Sequence, residues 1–257
     1  MSGKPKAVEM NAALFTAKQQ LRSAMKQKLA ALPMEAVNEQ SHVIHTKLLA
    51  FEPYLGAKRI SVFLSMPSAE VQTDAIVQHA LALGKQVFVP YLHKSPLPTA
   101  GSTTPTRVMD MVRLDSLQDY QSLKRDKWGI PSIDPATVHS RQRILGGSDA
   151  HHSDEATLDL ILMPGVAFDV APGSKDVRRL GHGRGFYDFF LERYAEKLQA
   201  LNQQGPSVLL YGLGLKEQFL SSATDEVPVG PRTGPFLNSN QYAPLPGVGS
   251  QSLGYSG

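Results

Sequence analysis

Two short, mostly apolar runs separated by one helix-length segment constrain the fold of this chain more than any other feature. Residues 60–64 and 86–92 are rich in β-branched and aromatic side chains, which predicts two buried strands. Between them, Thr73 is predicted to cap a helix that continues to Leu83 and ends at Gly84. A strand–helix–strand unit of this length implies a right-handed crossover and parallel pairing of the two strands.

Further segments of the same two kinds extend this unit on both sides. Apolar residues at helical spacing predict three more helices, over residues 12–32, 35–52 and 186–201. Asn11 is expected to cap the first of these helices, and Pro33 and Pro53 are expected to end the first two. Apolar runs predict additional strands over residues 107–114, 158–163 and 208–211.

These elements predict a single Rossmann-like α/β domain, in which helices flank a mainly parallel sheet and an N-terminal pair of helices precedes it. We expect the domain to span residues 12–229, after a flexible N-terminus of residues 1–11. Residues 230–257 carry one charged side chain, Arg232, among many Gly, Pro, Ser and Asn residues, which is typical of a disordered tail. Ligands are expected at the carboxyl ends of the strands.

The composition excludes several classes of protein. The chain has 257 residues and no cysteine, so it has no disulfides, thiolate nucleophiles or Cys-based metal sites. No apolar run approaches the roughly 20 residues of a membrane span. A net charge of +3 is too small to argue for nucleic acid. We expect a cytoplasmic protein that binds neither membrane nor nucleic acid; the basic, acid-poor first 30 residues leave a mitochondrial location as the alternative.

The strongest local motif is the run RRLGHGRGFYD over residues 178–188, which leads directly into a predicted helix. Its three glycines at alternate positions allow the backbone to approach a ligand, and the amides at the helix N-terminus favour a phosphate. Arg179, His182 and Arg184 add donors that suit an oligophosphate. The alternative is a flexible connection whose arginines face water. The spacing matches neither a Walker A loop nor a dinucleotide fingerprint.

Asp188 follows this loop in the first turn of the predicted helix. A carboxylate beside bound phosphates would repel them unless a cation lies between, so Mg²⁺ is one reading of this residue. The other is that Asp188 only complements the helix dipole. The sequence alone supports both.

The loop RLGHGRGFYDFF resembles that of the 5-formyltetrahydrofolate cyclo-ligase family, also called 5,10-methenyltetrahydrofolate synthetases, and is most similar to fungal and other eukaryotic members. Six further segments resemble family blocks in family order and together cover most of the predicted domain: KQQLRSAMKQKL, RISVFLSMPSAEVQT, MDMVRL, KWGIP, LDLILMPGVAFD and LKEQF…VPV.

The resemblance implies an ATP-dependent cyclisation of 5-formyltetrahydrofolate, with or without a polyglutamate chain. ATP phosphorylates the formyl oxygen, N10 attacks the activated carbon, and 5,10-methenyltetrahydrofolate, ADP and phosphate are released. It also implies Mg²⁺ as the cofactor, ATP as co-substrate, and a monomer.

The resemblance assigns roles to residues that match the family motifs. ATP is expected to contact the N-terminal helix and the glycine loop, through Lys18, Arg22, Arg179, Leu180, Gly181, His182, Gly183, Arg184, Gly185, Phe186 and Tyr187. The folate is expected to contact Leu64, Glu70 and, within the same loop, His182, Gly183, Arg184, Gly185 and Phe186. Arg184 and Tyr187 are the expected catalytic residues, and Asp188 the expected Mg²⁺ ligand.

Three points stay open at the level of sequence. Lys18 and Arg22 could instead form a solvated basic edge of their helix. Trp128 could stack on the pterin ring or pack as an ordinary core or lid residue. The sequence HHSD at residues 151–154 resembles a metal cluster, but it lies in a polar insertion with no regular spacing to orient it.

The chain departs from the family pattern at its C-terminal end. Family members carry a further Asp that shares the Mg²⁺ site, whereas no Asp or Glu occurs from Gly230 to the end. Either this second metal carboxylate is missing, or Asp225 or Glu226 replaces it. The alternative function is therefore a catalytically impaired homologue that still binds folate or nucleotide. A kinase acting on another small molecule is a third hypothesis.

Overall fold

The structure, a computed structural model, describes residues 4–95, 106–146, 156–170, 177–201 and 208–220, with side chains from Ala12 onward. Its helices are α1 (Lys4–Ala30), α2 (Met34–Leu49), α3 (Glu52–Gly56), α4 (Asp74–Ala82), α5 (Leu117–Ser122) and α6 (Phe186–Ala200). Its strands are β1 (Arg59–Val62), β2 (Gln86–Lys94), β3 (Arg107–Arg113), β4 (Lys124–Arg125), β5 (Pro131–Ser132), β6 (Leu160–Met163), β7 (Ala167–Val170), β8 (Val177–Leu180) and β9 (Leu209–Gly212).

The central sheet has five strands in the order β3-β2-β1-β6-β9. The pairs β1–β2, β1–β6 and β6–β9 are parallel, which confirms the predicted mainly parallel α/β sheet. Strand β3 instead pairs antiparallel with β2. The twelve intervening residues, 95–106, are at the lower limit for a crossover, whereas an antiparallel return can use a connection of any length.

The two faces of the sheet carry separate apolar clusters. Along β6, Leu160 and Leu162 point to one face and Ile161 and Met163 to the other, as the two-residue repeat of a strand requires. The first face packs against buried side chains of α2, α3 and α4, namely Ile44, Leu48, Tyr54, Ile76 and Val77. The second face packs against α6 through Phe190 and Tyr194. The sheet is therefore covered on both sides, which explains why β6, with the sequence LILM, is apolar throughout.

Polar contacts hold the amino ends of the central strands. The Asp159 carboxylate accepts hydrogen bonds from the backbone N–H groups of Lys58 and Arg59, both at 2.8 Å. The Tyr194 hydroxyl accepts one from the Leu158 N–H at 2.7 Å. These bonds give three backbone donors at this end of the sheet a side-chain partner.

An antiparallel hairpin of β7 and β8 stands at the carboxyl ends of β6 and β9. Its Phe168 ring is fully buried and stacks on Phe219 with the ring centroids 5.5 Å apart. A Cβ placed on Gly165 or Gly212 would lie 2.4 Å from this ring, and one on Gly214 would lie 2.9 Å from it. These three glycines form the glycine pocket, which lets the hairpin pack closely against the end of the sheet.

The structure corrects several expectations about helix ends. Helix α1 begins at Lys4 rather than at residue 12, so Asn11 lies inside it and is not its cap. Helix α2 ends at Leu49, and Pro53 lies in the first turn of the short α3 instead of ending a longer helix. Thr73 precedes α4, but its hydroxyl donates to the Phe63 carbonyl at 2.7 Å and does not cap the helix.

Two hairpins were not predicted, and several predictions concern residues that the structure does not describe. Both hairpins, β4–β5 and β7–β8, were absent from the sequence prediction. The segment HHSD at residues 151–154, Asp225, Glu226 and the predicted disordered tail lie outside the described residues. Within the part of the chain that the structure describes, none of the helices is both long and apolar enough to span a bilayer.

The close packing of the glycine pocket predicts that adding one methyl group there lowers the stability of the protein. In Gly212→Ala the new Cβ would collide with the buried Phe168 ring. We expect the free energy of unfolding to fall by about 1–3 kcal/mol, measured by urea denaturation. Gly56→Ala is the matched control, because a Cβ at Gly56 meets no atom within 4 Å. Equal stability of the two variants would contradict the tight packing of this pocket.

Candidate functional site

The glycine loop, residues 181–185, joins β8 to α6 beside the carboxyl ends of the parallel strands. Gly183 and Gly185 have φ values of 90° and 68°, in the left-handed region that other residues adopt only at a cost. Gly185 is the residue immediately before α6, so the first backbone N–H groups of the helix point toward the loop. A Cβ at Gly185 would meet no atom within 4 Å, which leaves this side of the loop open.

Arg22 of α1 lies across this loop. Its Nε donates a hydrogen bond to the Gly181 carbonyl at 2.9 Å, and its Cζ is 3.1 Å from the position of a Cβ on Gly183. Lys18, one turn earlier on α1, is half-buried. The structure thus brings Arg22 to the glycine loop, rather than leaving it on a solvated edge of the helix.

Helix α1 is held in this position by apolar packing. Met25 is buried against Ala167 and Leu180 of the hairpin, with Leu21 at the edge of the same cluster. The side chain of Leu180, expected from the resemblance to contact ATP, therefore packs against α1.

Arg179 of β8 is fixed by several contacts and its side chain is only 8% exposed. It donates hydrogen bonds to the Pro164 carbonyl at 3.1 Å and to Asp188 Oδ1 at 3.0 Å. Its guanidinium also lies over the Tyr187 ring, 5.4 Å from the centroid. Asp188 is 67% exposed, so its carboxylate remains accessible at the surface of the loop.

His182 and Arg184 lie on the exposed side of the glycine loop. Partial burial in the cleft, together with the cations of Arg179 and Arg22, lowers the pKa of His182. A neutral imidazole can accept or donate a hydrogen bond at neutral pH. The loop therefore offers a mixture of permanent cations and one uncharged polar ring.

The second part of the site is the segment between β1 and α4. Here Glu70 is only 7% exposed, and its Oε2 accepts a hydrogen bond from the Met66 N–H at 2.9 Å. Burial raises the pKa of the Glu70 carboxyl to about 7, and the bond from Met66 offsets this only in part. Ala69 beside it has a φ of 61°, a conformation that is strained for a residue with a Cβ. Leu64, at the start of the segment, is buried in the core.

Tyr187 links the two parts of the site. Its hydroxyl oxygen is buried and has no hydrogen-bond partner among the described residues. Burial and the negative charge of Glu70 raise the pKa of this hydroxyl, against the opposing effect of Arg179. A buried hydroxyl without a partner is unfavourable, so Tyr187 needs a polar partner supplied by a ligand or by water. Phe186, the preceding residue, packs at the edge of the α6 cluster.

Trp128 stands at the turn of the β4–β5 hairpin and is 58% exposed. Asp126 Oδ1 shapes the turn by accepting hydrogen bonds from the N–H groups of Trp128 and Ile130. A Cβ at Gly129 would lie 2.6 Å from Pro67, so this turn packs against the segment that carries Glu70. The ring is therefore displayed beside that segment and is not a core residue.

Sequence reasoning assigned no role to Arg178, Asp169 or Gln72. Arg178 and Asp169 face each other across β7 and β8 and form a two-point ion pair that holds the strand leading into the glycine loop. Their opposite charges were visible in the sequence, but their pairing depends on a hairpin that was not predicted. Gln72 bonds to the backbone of the Glu70 segment.

The described residues contain no group of three or more His, Asp or Glu side chains arranged to hold a metal ion. Asp188 is the exposed carboxylate beside the glycine loop, and a single carboxylate suits Mg²⁺ when phosphate oxygens and water complete its coordination. The residues present therefore fit a metal ion that binds together with a phosphate ligand. They do not fit a metal site formed by protein ligands alone.

The chain is similar to several known proteins. A mouse 5-formyltetrahydrofolate cyclo-ligase is 36% identical over 179 residues, which cover 69% of this chain and 75% of the mouse protein. A Caenorhabditis elegans protein named probable 5-formyltetrahydrofolate cyclo-ligase is 33% identical over 210 residues, 82% of this chain and 87% of the worm protein. The solved structure of 5,10-methenyltetrahydrofolate synthetase from Aquifex aeolicus has the same fold, with a TM-score of 0.54 and 19% identity over 89% of this chain and 90% of that protein.

The pattern of the 5-formyltetrahydrofolate cyclo-ligase family matches residues 15–232, which include every described strand and both parts of the site. The resemblance seen in the sequence motifs is thereby confirmed. The chain belongs to the 5-formyltetrahydrofolate cyclo-ligase family.

Proposed function

We propose that the chain catalyses the ATP-dependent cyclisation of 5-formyltetrahydrofolate to 5,10-methenyltetrahydrofolate, with release of ADP and phosphate. The observation that supports this proposal is the position of the Tyr187 hydroxyl, which has no partner among the described residues and lies between the cation-flanked glycine loop and the buried Glu70 carboxylate. Such a site can hold an oligophosphate and a polar heterocycle together, which a two-substrate reaction of this kind requires.

The glycine loop and its cations would bind the phosphates of ATP. Arg22 and Arg179 are both held in place by backbone carbonyls, so their positive charges need no reorganisation when the nucleotide arrives. The backbone of Gly183 and Gly185 and the N-terminus of α6 add amide donors. Lys18 and Arg184 complete the set of cations that face the same ligand in this proposal.

Asp188 would hold Mg²⁺ together with the phosphate oxygens. This cation would neutralise phosphate charge and orient the terminal phosphoryl group. In the structure Arg179 donates to the same carboxylate, which keeps Asp188 directed toward the loop. Because Asp188 is largely exposed, it can take up a cation without the cost of burying a new charge.

The segment around Glu70 would bind the pterin part of the folate. An ionised Glu70 can accept hydrogen bonds from the ring N–H and amino groups of a pterin, and Leu64 closes the apolar side of the same segment. Trp128, displayed beside Pro67, offers a flat surface on which an aromatic ring of the folate can stack.

The reaction follows from this arrangement of charges. The formyl oxygen attacks the terminal phosphorus of ATP and ADP leaves. N10 then attacks the formyl carbon and loses its proton to solvent, and phosphate leaves with the former formyl oxygen. The Arg184 cation would stabilise the transferring phosphoryl group, and the Tyr187 hydroxyl would donate a hydrogen bond to substrate at the junction of the two ligands. His182 would contact both ligands.

The same proposal includes the organisation of the chain. We assign the catalytic unit to residues 12–229 and expect a monomer in the cytoplasm, with the mitochondrion as the alternative because the N-terminal segment is basic. A second candidate function is binding without turnover, favoured by the absence of any Asp or Glu from Gly230 to the end of the sequence.

The experiment that separates these two functions is a turnover assay. The full chain is mixed with 5-formyltetrahydrofolate and MgATP, and the near-ultraviolet absorbance of the methenyl product is recorded. We expect a rise that needs both ATP and Mg²⁺. Folate binding by calorimetry without any absorbance rise would contradict catalysis and favour the binding function.

The metal assignment predicts the behaviour of Asp188→Ala. The Mg²⁺-dependent turnover should be lost, because Asp188 is the carboxylate that Arg179 holds at the loop. The free energy of unfolding should change by less than about 1 kcal/mol, since the lost ion pair has an exposed partner. Glu192→Ala removes an exposed carboxylate one turn further along α6 and should keep full turnover. Normal Mg²⁺-dependent turnover in Asp188→Ala would remove the metal assignment.

The unpartnered hydroxyl predicts opposite effects for two Tyr→Phe variants. Tyr187→Phe should lower kcat/KM about tenfold or more, because a hydrogen bond to substrate is lost, without lowering the melting temperature. Tyr194→Phe should keep kcat/KM but reduce stability by about 1–3 kcal/mol, because the buried Leu158 N–H loses its acceptor. Kinetics and thermal unfolding of both variants test this contrast. A Tyr187→Phe enzyme with unchanged kinetics would show that its hydroxyl does not meet the substrate.

A further inference from the structure

We propose that Gln72 is a positioning residue, which holds the segment of residues 66–70 in the shape that presents the Glu70 carboxylate to the folate. This inference rests on the proposed function, since it concerns how one side of that site is built. The resemblance to the family assigns no role to Gln72, and neither its type nor its place in the sequence marked it.

The carboxamide of Gln72 joins the two ends of this segment. Its Nε2 donates hydrogen bonds to the Met66 carbonyl at 3.0 Å and to the Glu70 carbonyl at 2.8 Å. The Met66 N–H donates in turn to Glu70 Oε2 at 2.9 Å. The segment is thus closed twice, once by the Gln72 amide and once by the Glu70 side chain itself. Two converging carbonyl oxygens need a group with two donors, and a carboxamide nitrogen supplies both.

Gln72 is itself fixed by its neighbours. Its backbone N–H donates to Ser41 Oγ at 2.9 Å, and that hydroxyl donates to the Val37 carbonyl one turn back along α2. The next residue, Thr73, is bonded through its N–H to Ser65 Oγ and through its hydroxyl to the Phe63 carbonyl. The carboxamide therefore projects from a backbone that is tied to α2 on one side and to the end of β1 on the other.

The closed segment is needed because its conformation is otherwise unfavourable. Ala69 has a left-handed φ of 61°, which costs on the order of 1 kcal/mol for a residue with a Cβ. Glu70, next to it, is buried at 7% exposure instead of reaching water. Without the two bonds from Gln72 the segment is expected to relax, and the carboxylate would then turn toward solvent.

This relaxation should change the way in which folate affinity depends on pH. Burial raises the pKa of Glu70 to about 7 from its ordinary 4.5. On α6, the Tyr187 hydroxyl is close enough to Glu70 to feel its charge, and the Arg179 guanidinium lies over the Tyr187 ring. Since an ionised carboxylate accepts the N–H groups of a pterin, folate affinity should increase as the pH rises through about 7. A relaxed, solvated Glu70 is already ionised at pH 6, so this increase should disappear.

The test uses two variants of the full chain. Gln72→Glu keeps the size of the side chain but presents a carboxylate to two carbonyl oxygens. We expect the KM for 5-formyltetrahydrofolate at pH 8 to rise about tenfold or more, with kcat and the KM for ATP changed less than about twofold. Gln72→Met removes the donors without adding a charge. We expect its Kd for the folate, measured by calorimetry without ATP from pH 6 to 8, to be weaker and nearly independent of pH.

The control is Gln121→Glu, the same substitution at an exposed position on α5, which should match the parent protein in every measurement. A role in stability alone would lower the melting temperature of Gln72→Met but leave its folate KM and its pH profile as in the parent, and that result would overturn the inference. Turnover by the parent protein is recorded in parallel. Absence of turnover by the parent protein would contradict the proposed function. If the parent protein is active and Gln72→Met has the same folate KM and pH profile, only the role of Gln72 is contradicted.

Discussion

The shape of the site depends on how closely the Phe168 ring approaches the glycine pocket. The ring fills the space that side chains on Gly165, Gly212 and Gly214 would occupy, so the β7–β8 hairpin sits directly on the carboxyl ends of β6 and β9. Strand β8 then delivers the glycine loop and α6 to that edge of the sheet. A small displacement of this hairpin would move Arg179, its bond to the Pro164 carbonyl and the entire loop together.

The charged side chains of the candidate site are separated, with cations beside the glycine loop and a buried carboxylate on the β1–α4 segment. Arg22 and Arg179 are held by backbone carbonyls on the side of the glycine loop, while the buried carboxylate of Glu70 lies on the other side of Tyr187. The cations remain charged at any physiological pH, whereas Glu70 titrates near neutrality because it is buried. In the proposed function, the arginines therefore bind the phosphates of ATP, and the titratable Glu70 carboxylate binds the pterin.

Local patterns in the sequence were sufficient for features that depend on neighbouring residues. The β1–α4–β2 unit follows from hydrophobic periodicity, and the loop before α6 follows from glycines whose left-handed φ no other residue adopts easily. Features that depend on distant residues were missed or left open. The reversal of β3, the pairing of Arg178 with Asp169, and the contact of Arg22 with Gly181 all require partners that no local pattern identifies. Thr73 has the residue type of a helix cap, but the Phe63 carbonyl takes its hydroxyl instead.

The contact between Arg22 and Gly181 joins residues 159 positions apart in the chain. Helix α1 leaves the ribosome before the other described elements, yet its Met25 and Arg22 pack against a hairpin and loop that are made after most of the sheet. Contacts of such long sequence separation form slowly, because the ends of a long loop must be brought together first. During synthesis α1 therefore emerges long before this part of its binding surface exists, and Met25 stays uncovered until β7 and β8 have been translated.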